Sequence, residues 1–516
     1  MDVERSHDYI VVGAGAAGCV VARRLLDNTD ASVLLLEAGG PDEQETIHRT
    51  DIPSMTSMWG STDFTWPYAT VPQPTLNDRE VHIPQGKVLG GGTSVNAMMY
   101  VRGNRRDFDH WNFLGNEGWS YRDVLPYFRR SENFAGGASE YRGTGGPLDV
   151  IRYSAPSEVS LAFAEGVREL GFDGGPDWDY NGAQQENAAF FYQSTRTTGN
   201  RRCSTATAFI DPVRQNSKLT VVTGATATRV LLSGYTAVGV EYVVDGTRHT
   251  AGATAEVVVC CGALASPKLL MLSGIGPAEA LRGLGIDIVV DLPGVGRNLQ
   301  DHMLFGVGYQ SLRDLPFPQL LSEAGLFVHT RDGLSAASPD LQFFFGPVQF
   351  VDDRYRVDGP GFTFAPILAR PHSRGTVSLR SADPQDLPVV DPQYLTAEAD
   401  VDVLVHGISL ARELVGTTAF RSFRGRELAP GDQVTERKDL VGYVRDSAST
   451  VWHPVGTCKM GADREAVVNS RLQTYGVDRL RVADASVMPT ITAGNTNAAT
   501  IMIAEKAAEL IIEAAG

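Results

Sequence analysis

Three glycines near the start of the chain have the spacing of a phosphate-binding turn: Gly13-Ala14-Gly15-Ala16-Ala17-Gly18. In such a GxGxxG run the first glycine permits a tight bend and the second lets backbone approach a pyrophosphate. The third lets the following helix pack close to the preceding strand. That helix start also supplies unpaired N–H groups and a partial positive charge for the phosphate. Glu37, 19 residues beyond Gly18, is placed to accept hydrogen bonds from a ribose and would repel a 2′-phosphate. These residues point to a dinucleotide other than NADP and leave NAD and FAD open. A second segment, Gly90-Gly91-Gly92-Thr93-Ser94-Val95-Asn96, offers backbone and small polar groups that can lie against a flat ring. Ten histidines could move protons, because imidazole titrates near about 6.5, and nothing local singles one out. No HExxH, no His/Cys cluster at ligand spacing and no GxSxG occur, so no metal site and no serine nucleophile are expected.

The elements around the first glycines have the matching pattern. Tyr9–Val12 is a continuous apolar run, as in a strand buried on both faces. Cys19, Val20, Ala22, Leu25 and Leu26 recur at helical spacing, and Ser32–Leu36 is a second apolar strand ending at Glu37. That is a complete βαβ unit. From about residue 40 to 145 the chain is irregular and rich in Pro, Gly, Trp and Asn, which predicts covering loops. Strands are predicted at 219–222, 228–232, 237–243 and 256–260. The alternating segments of 311–400, among them 342–345 and 376–379, predict an antiparallel sheet. Leu480–Val482 is a further strand, and Ala498–Ala515 an amphipathic helix. The adjacent Cys260 and Cys261 close an apolar strand and are expected to be buried packing, not a redox pair.

With 516 residues the chain exceeds what one hydrophobic core supports, about 250–300, so more than one lobe is expected. Apolar residues at 43% and charged residues at 21% exclude whole-chain disorder, and 54 glycines suit many close backbone approaches. The net charge, 45 − 61 = −16, argues against nucleic acid and anionic membranes as partners. The most apolar stretch, 257–275, is broken by Pro267, Lys268 and glycines, so no membrane span is expected. Five cysteines without CxxC spacing, no N-x-S/T sequon and an acidic start without a basic leader fit a cytoplasmic setting. Oligomeric state is not legible.

Several longer segments resemble the glucose–methanol–choline (GMC) oxidoreductases, a family that carries FAD. They are Gly86–Met98, Gly262–Gly276, Pro293–His302, Trp452-His453-Pro454, Ala483–Ser486 and Gly494-Asn495-Thr496-Asn497, in family order and spanning residues 8 to 512. The resemblance implies an α/β fold of two lobes. Residues 1–150, 200–310 and 453–516 would form a Rossmann-like FAD-binding lobe with a mostly parallel sheet. Residues 151–199 and 311–452 would form a substrate-binding lobe with an antiparallel sheet. It further implies cofactor contacts from Gly13, Gly15, Ala16, Ala17, Gly18, Glu37 and Ala38 at the nucleotide. Around the flavin it implies Gly90, Gly91, Thr93, Ser94, Asn96, Ala97, Met98, Trp452, Asp484, Ala485, Asn495, Thr496 and Asn497. Some members attach FAD through a His in the Gly90–Met98 segment; Val95 stands here instead, so non-covalent FAD is expected. Asn497 would cap the last helix, whose positive end would favour the reduced ring.

His453 matches the family's base and Asn495 its second active-site residue. An Asn amide cannot take a proton but can hydrogen-bond a substrate oxygen as charge develops. His302 is expected in a structural loop. Choline-oxidising members carry an acidic residue just after the Asp-His pair; here Asp301-His302 is followed by Met303-Leu304-Phe305. Met303, Leu304, Phe305 and Trp452 would therefore line a pocket for a neutral primary alcohol, aryl, furanic or aliphatic. Of Phe343–Phe345, at least one should be core, because a strand alternates faces. Val451, small and apolar, suits dioxygen as the electron acceptor. A dehydrogenase using a quinone-type acceptor, a choline-type substrate and a flavin-dependent hydroxynitrile lyase are the alternatives within the family. A non-catalytic FAD-binding protein is the alternative outside it.

Overall fold

The computed structural model describes residues 5–515 apart from 332 and 335. Its first sheet is built around β1 (Arg5–Val12), with α1 (Ala16–Asn28) and β2 (Val33–Leu36) completing the βαβ unit. β2 and β3 (Thr247–Val259) flank β1, both parallel to it, and Leu219–Val222 extends the sheet beyond β2. The 13-residue β3 carries two kinds of neighbour on its other side. Its first half pairs antiparallel with Thr236–Val244, which continues to Thr226–Ser233, and its end pairs parallel with Leu480–Val482. Every residue of β2 is buried, as a strand covered on both faces requires. α1 packs against α2 (Asn497–Ala515) on one face of this sheet.

A second, nine-stranded sheet is almost wholly antiparallel. Arg424–Ala429, Val307–Ser311, Gly361–Leu368, Leu341–Gly346, Ala324–Val328 and Ala188–Phe191 lie side by side in that order. The helices Glu158–Glu169 and Glu398–Gly416 pack against it. The apolar interior divides accordingly. The larger core draws on residues 9–36, 89–150, 203–295 and 455–511; a second draws on 159–191 and 303–448, with Leu76 and Val81, and three small clusters lie beside them. The antiparallel sheet predicted for 311–400 is present, and the α/β class with a Rossmann-like unit holds.

Two expectations are corrected. The stretch from 40 to 145 contains the helices Ile52–Trp59, Arg105–Phe113 and Tyr121–Ser131. Their starts carry local signals: Asp51 caps the first, and Asn104 with Asp107 and Ser120 with Asp123 form capping boxes on the others. Aromatic and charged residues mixed within them hide the apolar period. The last helix is also different from expectation. From Ala498 to Ala508 it is buried on all sides, including Glu505, which pairs with Arg24 and Arg130 at 2.8 Å each. Asn497 is its first helical residue, so Thr496 holds the cap position.

Close approach of α1 to β1 rests on Gly18. A Cβ there would sit 1.8 Å from the Gly13 carbonyl oxygen and 3.3 Å from the Val11 side chain. Gly18→Ala should lower the unfolding free energy by at least ~2 kcal/mol in chemical denaturation. Gly40→Ala, where a Cβ meets nothing within 4 Å, should stay within about 0.5 kcal/mol of wild type.

Candidate active site

Where the two cores meet lies a cavity of about 590 Å3. At one end its wall is the turn after β1. Gly13, at φ 96°, adopts a conformation that favours glycine, and a Cβ on Gly91 (φ 53°) would lie 2.6 Å from the Gly15 Cα. Bare backbone therefore faces the cavity from Gly13, Gly15 and Gly91, with Ala16 and Ala17 beside them. Glu37 follows β2 directly, next to this turn. Its carboxylate accepts hydrogen bonds from the backbone N–H of Ala14 (3.0 Å) and Gly39 (2.8 Å). Burial pushes that carboxyl up to about 7, against those two bonds and the Lys87 charge. Glu37 and Ala38 both line the cavity, while Gly18 does not, its role being the packing described above.

The segment from Gly90 to Met98 divides its labour. Gly91, Val95, Asn96, Ala97 and Met98 form cavity wall. Gly90, Thr93 and Ser94, expected around the flavin, do not line the cavity. The Thr93 hydroxyl donates to the Gly90 carbonyl at 2.6 Å and the Ser94 hydroxyl to the Leu89 carbonyl at 2.7 Å. Both side chains fold back under the loop and fix its shape. Asp484 reaches the wall with Ala485, accepting from the Ser266 hydroxyl (2.5 Å) and the N–H groups of Gly262 (2.9 Å) and Ser486 (2.8 Å). Burial raises its carboxyl above the ordinary range in spite of these bonds. Thr496 and Asn497 line the cavity at the start of α2. Cys260 and Cys261 are both free thiols; Cys260 is buried, and Cys261 borders the cavity.

At the other end stand His453 and Asn495. Nδ1 of His453 lies 3.0 Å from Nδ1 of His302, and Nε2 of His302 lies 3.1 Å from the Ala369 carbonyl oxygen. A carbonyl only accepts, so His302 carries its proton on Nε2 and presents a lone pair at Nδ1. His453 must then donate from Nδ1, which leaves its Nε2 unprotonated on the cavity side, 3.3 Å from the Asn495 amide nitrogen. Asn495 Oδ1 is buried without a partner among the described residues. Beneath both rings, Asp301 Oδ1 accepts from the backbone N–H of His302 (2.9 Å) and His453 (2.8 Å). Its Oδ2 accepts from the hydroxyls of Tyr394 (2.6 Å) and Thr450 (2.5 Å). Burial pushes the Asp301 carboxyl up to about 6. Burial also holds His453 well below 6.5, with the neighbouring His302 adding to the effect, and pushes His302 down to about 4 against the Ala369 and Thr492 carbonyls.

Leu304 lines the cavity between Val451, Phe344, Ala365 and Val348. Met303 and Phe305 do not: they are buried in the second core, with Phe305 set edge-on to Tyr443 at 5.5 Å. Residues on either side of Leu304 along extended backbone face the opposite way, and the expectation that all three line the pocket is corrected accordingly. Phe343 is likewise core, while Phe344 reaches the wall. Trp452, at φ 62°, reaches the cavity and packs edge-on to Trp59 at 4.7 Å. The carboxylates on the cavity wall, among the described residues, are Glu37, beside the glycine turn, and Asp484. The sequence reading did not assign roles to Asp301, Tyr394, Thr450, Ala369 or Trp59. The pairing of His302 with His453 spans 151 residues and has no local signal.

A Rossmann-like unit with a bare glycine turn, an acid closing its second strand and a His–Asn pair across one cavity is the build of a dinucleotide-dependent oxidoreductase. Residues 7–304 and 371–504 match the N- and C-terminal regions of the GMC oxidoreductases, and the chain belongs to that family. It is thus an FAD-dependent oxidoreductase acting on alcohols. It is 39% identical to the mitochondrial choline dehydrogenase of Mus musculus, over 98% of this chain and 89% of that one. It is 39% identical to the oxygen-dependent choline dehydrogenase of Brucella suis, over 98% and 95%. Among solved structures, pyridoxine 4-oxidase from Mesorbium loti superposes with a TM-score of 0.90 at 31% identity, covering 97% of this chain and 98% of that one. Among the described residues, no helix is long and apolar enough to cross a membrane.

The histidine tautomers are directly measurable. Nitrogen-15 spectra of histidine-labelled protein at pH 6 should show both rings neutral, His302 protonated on Nε2 and His453 on Nδ1. An imidazolium signal from either, or a proton on Nε2 of His453, would contradict the arrangement.

Proposed function

We propose that this protein oxidises a neutral primary alcohol, of aryl, furanic or aliphatic type, to the aldehyde. It would hold FAD without a covalent bond and deliver the electrons to dioxygen. One observation carries the reading: His453 Nε2 stands beside the Asn495 amide at a cavity wall that includes Leu304, Phe344, Val348, Ala365 and Val451, and Asp301 lies beneath the rings and not on that wall.

The bare backbone of Gly13, Gly15 and Gly91 on the cavity wall fits the pyrophosphate of the cofactor, and the Glu37 carboxylate fits a ribose. Ala16, Ala17 and Ala38 would complete the nucleotide end. Asn96, Ala97, Met98, Trp452, Asp484, Ala485, Thr496 and Asn497 would surround the ring. When bound, FAD supplies the acceptor for the hydride that leaves the carbinol carbon. His453 Nε2 takes the hydroxyl proton. The Asn495 amide donates to the same oxygen as it gains negative charge. His302 accepts the Nδ1–H of His453 throughout, so the ring keeps its orientation before and after it becomes charged. Because burial holds His453 below its ordinary value, it stays neutral and able to accept a proton across the neutral range. Val95, in the loop that would face the ring, cannot form the covalent link that a His there could.

Choline is the second reading, supported by the names of the relatives. A quaternary ammonium would find aromatic faces in Phe344 and Phe350 but no carboxylate at that end of the wall. The pyridoxine of the structural neighbour is itself an aromatic alcohol. For the acceptor, Val451 leaves an apolar wall residue close to His453.

Steady-state turnover of benzyl, furfuryl and short aliphatic alcohols, choline and a cyanohydrin, in air and then with a soluble quinone under nitrogen, separates these readings. The aromatic or furanic alcohols should exceed choline at least tenfold in kcat/KM, with hydrogen peroxide formed in step with aldehyde. Choline ranking first would assign the second reading. Turnover only with the quinone would make the protein a dehydrogenase, and cyanohydrin cleavage without redox turnover a lyase.

A further inference from the structure

Three of the buried arginines among the described residues are ion-paired: Arg102 and Arg142 share Glu132, and Arg481 pairs with Glu256. Arg196 and Arg202 depart from that pattern. They face each other across an antiparallel bridge, 5% and 1% exposed, and among the described residues no carboxylate lies within ion-pair distance of either. Arg196 Nε and Arg202 Nη2 are buried with no hydrogen-bond partner. Burial pushes both guanidinium groups down, Arg202 to about 9 with Arg196 contributing, and Arg196 to about 10. A guanidinium nevertheless stays protonated at neutral pH, so two like charges persist side by side without a counter-ion.

What they hold is informative. Arg202 donates from Nε to the Ile47 carbonyl (2.8 Å) and from Nη1 to the carbonyls of Thr93 (3.2 Å) and Asn96 (2.7 Å) and to Asn96 Oδ1 (3.0 Å). Arg196 donates from Nη2 to the carbonyls of Thr50 and Gln319, both at 3.3 Å, and from Nη1 to Asn200 Oδ1 at 3.2 Å. In a trans peptide the N–H points opposite to the C=O. With the Asn96 carbonyl drawn onto Arg202, the Ala97 N–H is aimed away from the guanidinium, and Ala97 is cavity wall. The peptide dipoles of this turn thus extend the positive potential of the pair toward the cavity.

We propose that Arg196 and Arg202 are positioning residues for the cofactor. Arg202 fixes the Thr93–Met98 turn, and the two together maintain behind it an uncompensated positive potential that raises the midpoint potential of the flavin. This rests on FAD occupying the cavity as proposed above. Reduction adds negative charge to the ring, and a buried cation acts on that charge with little screening by solvent or salt.

The test is the midpoint potential of bound FAD, by equilibration with reference dyes, in wild type and in Arg202→Met, Arg202→Lys and Arg196→Met, with FAD affinity measured alongside. Arg202→Met should make the two-electron reduction equilibrium at least tenfold less favourable, a shift of about 30 mV to the negative side. Arg196→Met, which leaves the turn's hydrogen bonds intact, should shift it in the same direction by less. Arg202→Lys should stay within threefold of wild type while binding FAD more weakly, because it keeps the charge and loses the fork of donors. Both shifts should persist at high salt. A wild-type potential in both methionine variants, with only stability or FAD affinity lowered, would reduce the pair to a structural clamp. Should Arg202→Met fail to hold FAD, Arg196→Met and Arg202→Lys decide the matter by the same criteria. A wild-type protein that takes up no flavin would overturn the cofactor reading as well.

Discussion

One hydrogen lies between two nitrogen atoms 3.0 Å apart, Nδ1 of His302 and Nδ1 of His453, and its position follows from a carbonyl two bonds further on. Because Ala369 can only accept, the proton order along the chain of groups is settled from there to the cavity. In the other tautomer of either ring, a buried donor would meet a donor, at a cost of about 1–3 kcal/mol for the group left unsatisfied. Asp301 holds the backbone of both residues from below. This carboxylate, with four acceptor bonds filled and no cation beside it, orients the site without facing it. The result is a ring nitrogen, Nε2 of His453, whose lone pair faces the cavity.

The remainder of the molecule serves to bring three distant pieces to one place. The Asp301-His302 pair ends one stretch of the first core, His453 follows the second sheet, and Asn495 precedes the last helix. Their meeting point lies between two separately packed cores, which is where a cavity of this size can exist without breaking either one. Glycine supplies the other half of that cavity. A Cβ on Gly13 would lie 2.5 Å from the Cys260 carbonyl oxygen and one on Gly91 2.6 Å from the Gly15 Cα, so the wall there is peptide, the surface a pyrophosphate needs. The α/β sheet and its ligand end therefore follow the general rule that ligands sit beyond the carboxyl ends of parallel strands.

What was legible in the sequence was local. The βαβ unit, the glycine turn and Glu37 sit within some thirty residues, and strand 219–222 and strand 480–482 coincide with their predicted bounds. Contacts across the chain were not. Met303-Leu304-Phe305 reads as one apolar stretch, and which of the three faces the cavity depends on a sheet register that no local pattern records. Thr93 and Ser94 have the chemistry to face a ring but fold beneath the loop, because Gly90 and Leu89 carbonyls lie there to receive them. His302 looked structural by its loop setting; only the partner 151 residues away gives it a function. The helices that start at the Asn104 and Ser120 capping boxes were missed, because the turn-rich composition of residues 40–145 obscured their signal.

The central claim is that His453 takes the substrate's proton in a cavity that holds FAD. Anaerobic mixing of the flavin-loaded protein with an excess of an aromatic primary alcohol, followed at the blue absorbance band, tests it in a single turnover. The wild type should bleach, and His453→Ala should bleach about 1,000-fold more slowly while retaining its bound FAD. Bleaching of the variant at the wild-type rate, with FAD still bound, would contradict the account.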